Sequence, residues 1–320
     1  MGKSCQFILP TMGNSTSLII TVLNEENSID RLLGGLVSQT VKPGEIIIVD
    51  GGSTDKTIEK INKFKNKLIN LKVLSYPGNR SMSRNYGVKM SKHSIILFTD
   101  AGCVPKKDWV EKIISPFKNN SIEVVSGYYE GEYKNIFEKS QLPFVLVMSD
   151  RIPGVFLPST RSMAIKKSVF LNQGMFDESL PHNEDYAFAV KLLKNNVNIH
   201  FSKDAIVVWS PRKSLKSLAW MFTRFAIGDI QAGIIRPQLK NLAIRYLAAL
   251  YIFSLIIELP MLWPAIPIMA IIFILIANIK NYRYVNDIRG LFWIPIIQLI
   301  CDLSILFGSL IGLMYKISTK

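Results

Sequence analysis

From residue 18 to about 126 short apolar runs alternate with helical patterns, and apolar positions crowd together again after residue 242. The first pattern predicts successive βαβ units on a largely parallel sheet. A strand is expected over Leu18 to Leu23, then a helix capped by Asn27 or Ser28 whose apolar positions Ile29, Leu32, Leu33 and Leu36 share one face. After a turn at Pro43 and Gly44, the apolar run Glu45 to Val49 ends at Asp50, as fits a strand covered on both faces. A third strand is expected over Lys72 to Ser75, and a helix from about Ser81 to Met90 leads to a fourth, Ser94 to Thr99, followed by Asp100. A helix carrying Val110, Ile113, Ile114 and Phe117 and a strand from Ile122 to Val125 complete the series.

Residues 127 to 200 are less regular, with an apolar loop around 142 to 157 and a helix from Glu184 to Leu193, and read as the second half of the domain. Between Lys203 and Arg245 basic residues interleave with Leu215, Leu218, Trp220, Met221, Phe222 and Phe225, a pattern suited to a membrane surface. Residues 243–260, 261–279 and 291–315 are each long and apolar enough to cross a bilayer. The expected organisation is an α/β domain over 1–202, an interfacial segment over 203–242 and a transmembrane region over 243–320. Basic residues before the first span, and Lys280, Arg283 and Arg289 between the second and third, place those loops and the α/β domain in the cytoplasm. Within the spans Arg245 and Glu258 lie near ends and are expected to snorkel, whereas Asp302 is deeper and is expected to be paired or protonated at a helix interface.

The balance of 38 Lys and Arg against 24 Asp and Glu, +14 overall, admits nucleic acid, an anionic membrane or a phosphorylated substrate. Its clustering beside the apolar segments favours the membrane and disfavours nucleic acid. Three cysteines, Cys5, Cys103 and Cys301, form no paired spacing, so neither a disulfide framework nor a zinc site is expected. The first residues, MGKSCQFILPTMGN, hold an apolar run too short for a signal peptide and lack a myristoylation pattern.

Two strands that each end in Asp bring Asp50 and Asp100 to the C-terminal edge of the sheet, where open α/β sheets bind ligands, although Asp also caps helices. Six segments in order, TVLNEE (21–26), SQTVKPGEIIIVDGGSTDKT (38–57), RSMSRNYG (80–87), LFTDAGCVP (97–105), PSTRSMAIKKSVFLNQGMFDE (158–178) and NEDYAFAVKLL (183–193), resemble the family 2 glycosyltransferases of the GT-A fold. The resemblance implies a membrane-anchored, inverting transferase that takes a sugar from a nucleotide-sugar donor to a hydroxyl or phosphate acceptor, and the transmembrane block favours an acceptor at the cytoplasmic membrane face that is lipid-linked or part of glycan assembly.

By that resemblance Thr21, Asn24, Glu25, Asp50, Gly52, Ser53 and Asp55 bind the donor nucleoside side and Asp100 and Ala101 complete the donor site, while Arg84 and Asn85, on the helix before the fourth strand, either approach the nucleotide or lie on a solvated helix face. Asp100 stands where the family holds its metal-binding acids, which implies a divalent cation, Mg2+ or Mn2+, to stabilise the departing diphosphate. The family's Asp-x-Asp is Asp100-Ala101-Gly102 here, so His182 or water is expected to complete the ligand shell, or Arg212 and Arg224 to neutralise phosphate. Glu184 and Asp185 open a helix as the family's paired acids do, and Asp185 takes the part of the base that accepts the acceptor's proton. Thr160 and Arg161 resemble a segment lining the acceptor side, and Arg224, Gly228 and Asp229 an interfacial element that closes over the donor. A catalytically inactive glycan- or nucleotide-sugar-binding scaffold on the same fold is the alternative, and a dehydrogenase is disfavoured because the first strand runs into LNEEN rather than a glycine-rich turn.

Overall fold

The computed structural model describes residues 12–318; Cys5 and most of the N-terminal segment considered above lie outside the described residues. The chain divides into two compact units: one of the described residues up to Glu130 with Ile152–Trp209, the other of Gly131–Arg151 with Ser210 onward.

Unit one is built on an eight-stranded sheet of order β3-β2-β1-β4-β7-β6-β8-β5, with β1 Thr16–Val22, β2 Glu45–Asp50, β3 Leu71–Ser75, β4 Ile95–Phe98, β5 Cys103–Pro105, β6 Val124–Gly131, β7 Met163–Lys166 and β8 Ile199–Trp209. The first four strands in that order are parallel, while β7 pairs antiparallel with both β4 and β6. All six residues of β2 are buried, as a strand covered on both faces requires. Helix α1 (Ile29–Val37) buries Ile29, Leu32, Leu33 and Leu36, the face expected from their spacing, each contributing on the order of 2 kcal/mol. Helices α2 (Thr57–Asn62), α3 (Arg80–Met90), α4 (Trp109–Ile114), α5 (Ile136–Val145), α6 (Lys167–Asn172) and α7 (Glu184–Lys194) follow in chain order, and α5 alone of these belongs to unit two. The core beneath the site joins Ile19, Val49, Phe98, Met163, Phe170, Phe176 and Phe188 from both halves of the sheet.

Three expectations shift. The strand expected at Ile122 starts at Val124 and runs to Gly131, because Ile122 is used in a turn, its N–H donating to Asn119. The loop expected from 142 is helical at its start: Asn135 caps α5 by accepting from the Glu138 N–H at 2.9 Å. The α/β unit ends at Trp209 rather than at residue 202, since β8 runs straight through 202 with Ala205, Val207 and Trp209 turned inward.

Unit two contains α8 (Leu215–Gln231), α9 (Pro237–Glu258), α10 (Ala265–Val285) and α11 (Gly290–Ser318). The last three are long and apolar enough to cross a membrane. Helix α8 lies directly on α11, where the glycine pair Gly308 and Gly312 makes room: a Cβ on Gly308 would stand 2.4 Å from the Thr223 carbonyl oxygen. Asp302 is paired as expected, accepting from Arg245, from the Tyr246 hydroxyl at 3.1 Å and from Gln298 at 2.7 Å; Arg245 lies inside α9, which begins at Pro237, and is engaged by this ion pair rather than placed near a helix end.

Candidate active site

The loops after β1 and β2 are stitched together at the C-terminal edge of the parallel strands. Asp50 ends β2 and folds its carboxylate back into its own loop, accepting from the Ser53 hydroxyl at 2.6 Å, the Ser53 N–H at 3.1 Å and the Gly52 N–H at 3.3 Å. Gly52 sits at φ +104°, a conformation that favours glycine. Asn24 donates its N–H to the Ser53 hydroxyl at 3.0 Å and accepts from the Thr54 N–H at 2.9 Å, and Glu25 donates to the Thr57 hydroxyl at 2.7 Å. Asp55 accepts from the Glu26 and Thr57 N–H groups, while Thr21 pairs in register with Val49 on β2. The expected nucleoside residues are thus one connected platform.

A second cluster lies where β4 ends. Asp100 follows the strand, its carbonyl closing a turn with the Cys103 N–H at 2.9 Å, and the intervening Ala101 is buried. Arg84, one turn into α3 and 4 % exposed, donates Nη2 to Asp100 at 2.7 Å and Nη1 to Glu184, the first residue of α7. Helix α3 is fixed for this by contacts to the segment that leads into α7: Asn79 and Ser81 donate to the Glu178 and Leu180 carbonyls at 2.7 and 3.1 Å. Asn85 belongs to that support, not to a solvated face or an open donor site. Its amide donates to the Phe176 carbonyl at 2.8 Å and to Glu178 at 3.0 Å, and accepts from the Phe176 N–H at 3.1 Å.

Asp185, beside Glu184 but only half-buried, accepts at Oδ2 from the Ser159 hydroxyl at 3.1 Å and from the Thr160 N–H and hydroxyl, both at 3.2 Å. Its Oδ1 accepts from the Tyr186 N–H at 2.8 Å. The guanidinium of Arg161 stands 5.1 Å from the Tyr129 ring and 5.4 Å from the Trp209 ring. Its carbonyl accepts from Thr99 at 2.9 Å, one residue before Asp100.

Three acids around one buried guanidinium share its charge unequally. Burial pushes the Glu184 carboxyl up, with the like charge of Asp185 adding to that effect against the pull of Arg84. Burial acts the same way on Asp100, but Arg84, Arg80 and Arg161 outweigh it and hold that carboxyl below its usual range. Arg84 itself stays charged: burial opposes this, and Glu184, Asp100 and Asp185 together prevail. Burial pushes the Cys103 thiol up to about 12, which removes it as a thiolate ligand.

The residues present fit a hard cation only through Asp100. Its Oδ1 is engaged by Arg84, and its side chain is 33 % exposed. Among the described residues no three His, Cys, Asp or Glu side chains converge as a ligand set. One carboxylate with waters and substrate phosphate oxygens is nonetheless ordinary for Mg2+. Arg212 and Arg224, expected beside phosphate, belong to unit two: Arg212 donates Nε to the Met221 sulfur at 3.4 Å, and Arg224 lies 5.8 Å from the Trp220 ring. Asp229, expected in a closing element, is bound bidentately by Arg236 at 2.6 and 3.0 Å within that unit.

Sequence reasoning missed Ser159, Tyr129, Trp209 and Arg80. Ser159 had a signal in the hydroxyl pair beside Arg161; the other three are brought in by tertiary packing and showed none locally.

A parallel sheet with an antiparallel extension and acids at its C-terminal edge defines a class, the nucleotide-sugar transferases of GT-A fold. In fold the chain is similar to the mannosyltransferase PcManGT from Pyrobaculum calidifontis, solved in complex with GDP-Man and Mn2+, with a TM-score of 0.66 and 16% identity over 93% of this chain and 87% of that one. Residues 17–179 match the model for glycosyl transferase family 2, and the chain belongs to that family. Among curated relatives it is 26% identical to the glycosyltransferase AglE of Haloferax volcanii over 76% of this chain and 81% of that protein. It is also 27% identical to the poly(ribitol-phosphate) beta-N-acetylglucosaminyltransferase TarP of Staphylococcus aureus, over 59% of this chain and 60% of that protein. The protein is therefore a glycosyltransferase with a nucleotide-sugar donor.

Proposed function

We propose that the chain transfers a sugar, with inversion at the anomeric carbon, to a hydroxyl of a lipid-linked or glycan acceptor at the cytoplasmic face of a membrane. The observation that carries this reading is the Arg84 bridge, which ties Asp100 at the end of β4 to Glu184 and so sets Asp185 beside it. In a single displacement a base for the attacking hydroxyl and a group that offsets the charge of the departing diphosphate stand on opposite sides of the reacting carbon. Asp185 takes the hydroxyl proton, held in orientation by Ser159 and Thr160. Glu184, buried against Arg84, positions rather than reacts. The platform of Asn24, Asp50 and Ser53 carries the nucleoside.

Asp100 is the residue to hold Mg2+ or Mn2+, which when bound offsets the charge of the departing diphosphate. PcManGT was solved with GDP-Man and Mn2+, which makes a guanosine donor one member of the panel to test. Three apolar helices on the same chain favour an acceptor met at a membrane, because tethering raises its effective concentration. The basic residues flanking them favour a cytoplasmic catalytic unit.

The test is turnover of a panel of sugar nucleotides by full-length protein, first chelated and then given Mg2+ or Mn2+. Turnover restored by the cation supports the reading, and full activity in chelator removes the metal from it. Binding of a sugar nucleotide without turnover across donors and acceptors would favour an inactive scaffold.

A further inference from the structure

Two arginines of unit one are held in different ways. Arg84 spends its charge on two carboxylates. Arg161 rests on aromatic rings, at 5.1 Å from Tyr129 and 5.4 Å from Trp209, stays half-buried, and adds its charge to the pull on Asp100. A ring face fixes a guanidinium and favours its charge without neutralising it, and stacking leaves the in-plane N–H groups to bind another planar or tetrahedral oxyanion. That fork is the geometry that recognises phosphate bidentately.

The position narrows which phosphate. Arg161 follows Thr160, which donates twice to Asp185, and its carbonyl accepts from Thr99 beside Asp100, so it lies between the two acids assigned to attack and departure. Tyr129 is on β6 and Trp209 on β8, strands on the opposite side of β4 from β1, β2 and the Asp50 loop. The nucleoside platform and this cation therefore flank β4 from opposite sides.

We propose that Arg161 binds a phosphate carried by the acceptor, so that the acceptor is a phosphate-bearing alcohol whose free hydroxyl attacks while its phosphate is anchored. This rests on the transferase reading above. The acceptor O–H gives its proton to Asp185, its oxygen bonds to the anomeric carbon, and the bond from that carbon to the nucleoside diphosphate breaks with its electron pair leaving on phosphate. Arg161 is unchanged throughout. It selects the substrate through charge and the two-pronged contact.

The test uses full-length protein in lipid nanodiscs and inorganic phosphate as probe, read by phosphorus NMR line broadening. Wild type should broaden the signal saturably, and should do so equally with saturating UDP or GDP present. Arg161→Ala should weaken phosphate binding roughly tenfold or more, as expected for losing a charged hydrogen-bonded contact. Arg161→Lys, which keeps the charge and most of the side-chain volume, should lie between the two. Wild-type broadening in both variants would overturn the proposal, as would no broadening by wild type. Suppression by UDP or GDP would assign Arg161 to the donor diphosphate and overturn it equally. A chain that shows Arg161-dependent phosphate binding yet transfers no sugar would remove the transferase reading instead, so the two failures are distinguishable.

Discussion

Asp50 and Asp100 stand at the ends of two parallel strands separated only by β1, and they are held in opposite ways. Asp50 is satisfied by residues two and three positions ahead of it, within one loop. Asp100 is satisfied by Arg84 from α3, which also holds Glu184, one hundred positions further along the chain from Arg84. The difference teaches what each acid can do. A locally closed carboxylate shapes a loop and presents its backbone, whereas one clamped from a distance couples the sheet edge to α7 and Asp185. The platform proposed for the nucleoside is thus built from short-range turns, and the cluster proposed for the chemistry from long-range ion pairs.

The sharpest probe of the long-range half is Asp185→Asn, which keeps acceptor capacity for Ser159 and Thr160 but cannot take a proton. Transfer should fall by about 10²- to 10⁴-fold, the range for a general base, while nucleotide binding by calorimetry stays near wild type. Comparable turnover in that variant would remove Asp185 from the mechanism. Next in size is Arg84→Ala, which leaves the buried Glu184 carboxylate without its partner; side-chain exposure is 5% for Arg84 and 4% for Glu184. Breaking such a pair costs about 3 to 5 kcal/mol, so the thermal midpoint should drop by many degrees and turnover should vanish with it. An unchanged midpoint would show that the bridge does not hold the two elements together.

The two acids on Arg84 also predict opposite pH responses. Glu184 is raised in the folded protein, so its contribution is present at low pH and lost as pH rises through its folded value. Asp100 is lowered, so its contribution is present above the ordinary aspartate range and lost as pH falls through its folded value. Glu184→Gln should therefore flatten the fall in thermal midpoint above the ordinary glutamate range, and Asp100→Asn should flatten the acid limb. Identical profiles for the two variants would contradict the assignment. The smallest effect belongs to the local half: Ser53→Ala removes one hydroxyl from the Asp50 loop and should cost about 1 kcal/mol with a modest rise in nucleotide Kd. A loss as large as that of Arg84→Ala would erase the contrast between the two acids.

The same contrast governs what could be read from the sequence. The strands ending at Asp50 and Asp100, the buried face of α1 and the three long apolar helices follow from periodicity and turn chemistry, which are local. Strand β8 was legible in principle, since Ala205, Val207 and Trp209 alternate inward, but its Lys203 and Asp204 resemble the start of the basic stretch that follows. The burial of Arg84 was not legible: on α3 it has the spacing of a solvated helix residue, and only the approach of Glu184 from α7 makes it a bridge. Asn85 was assigned to the donor for the same reason, and long-range contacts to Phe176 and Glu178 give it a different task. The cation expected at Asp100 was carried over from the family resemblance, and among the described residues no three His, Cys, Asp or Glu side chains converge as a ligand set.

If Asp185 and Asp100 serve attack and departure in one displacement, the configuration of the released sugar reports it without knowledge of the acceptor. With a turned-over sugar nucleotide and water as the slow acceptor, proton NMR recorded before mutarotation reads the anomer first formed. The account predicts the anomer opposite to that of the donor; the same anomer as the donor would contradict it.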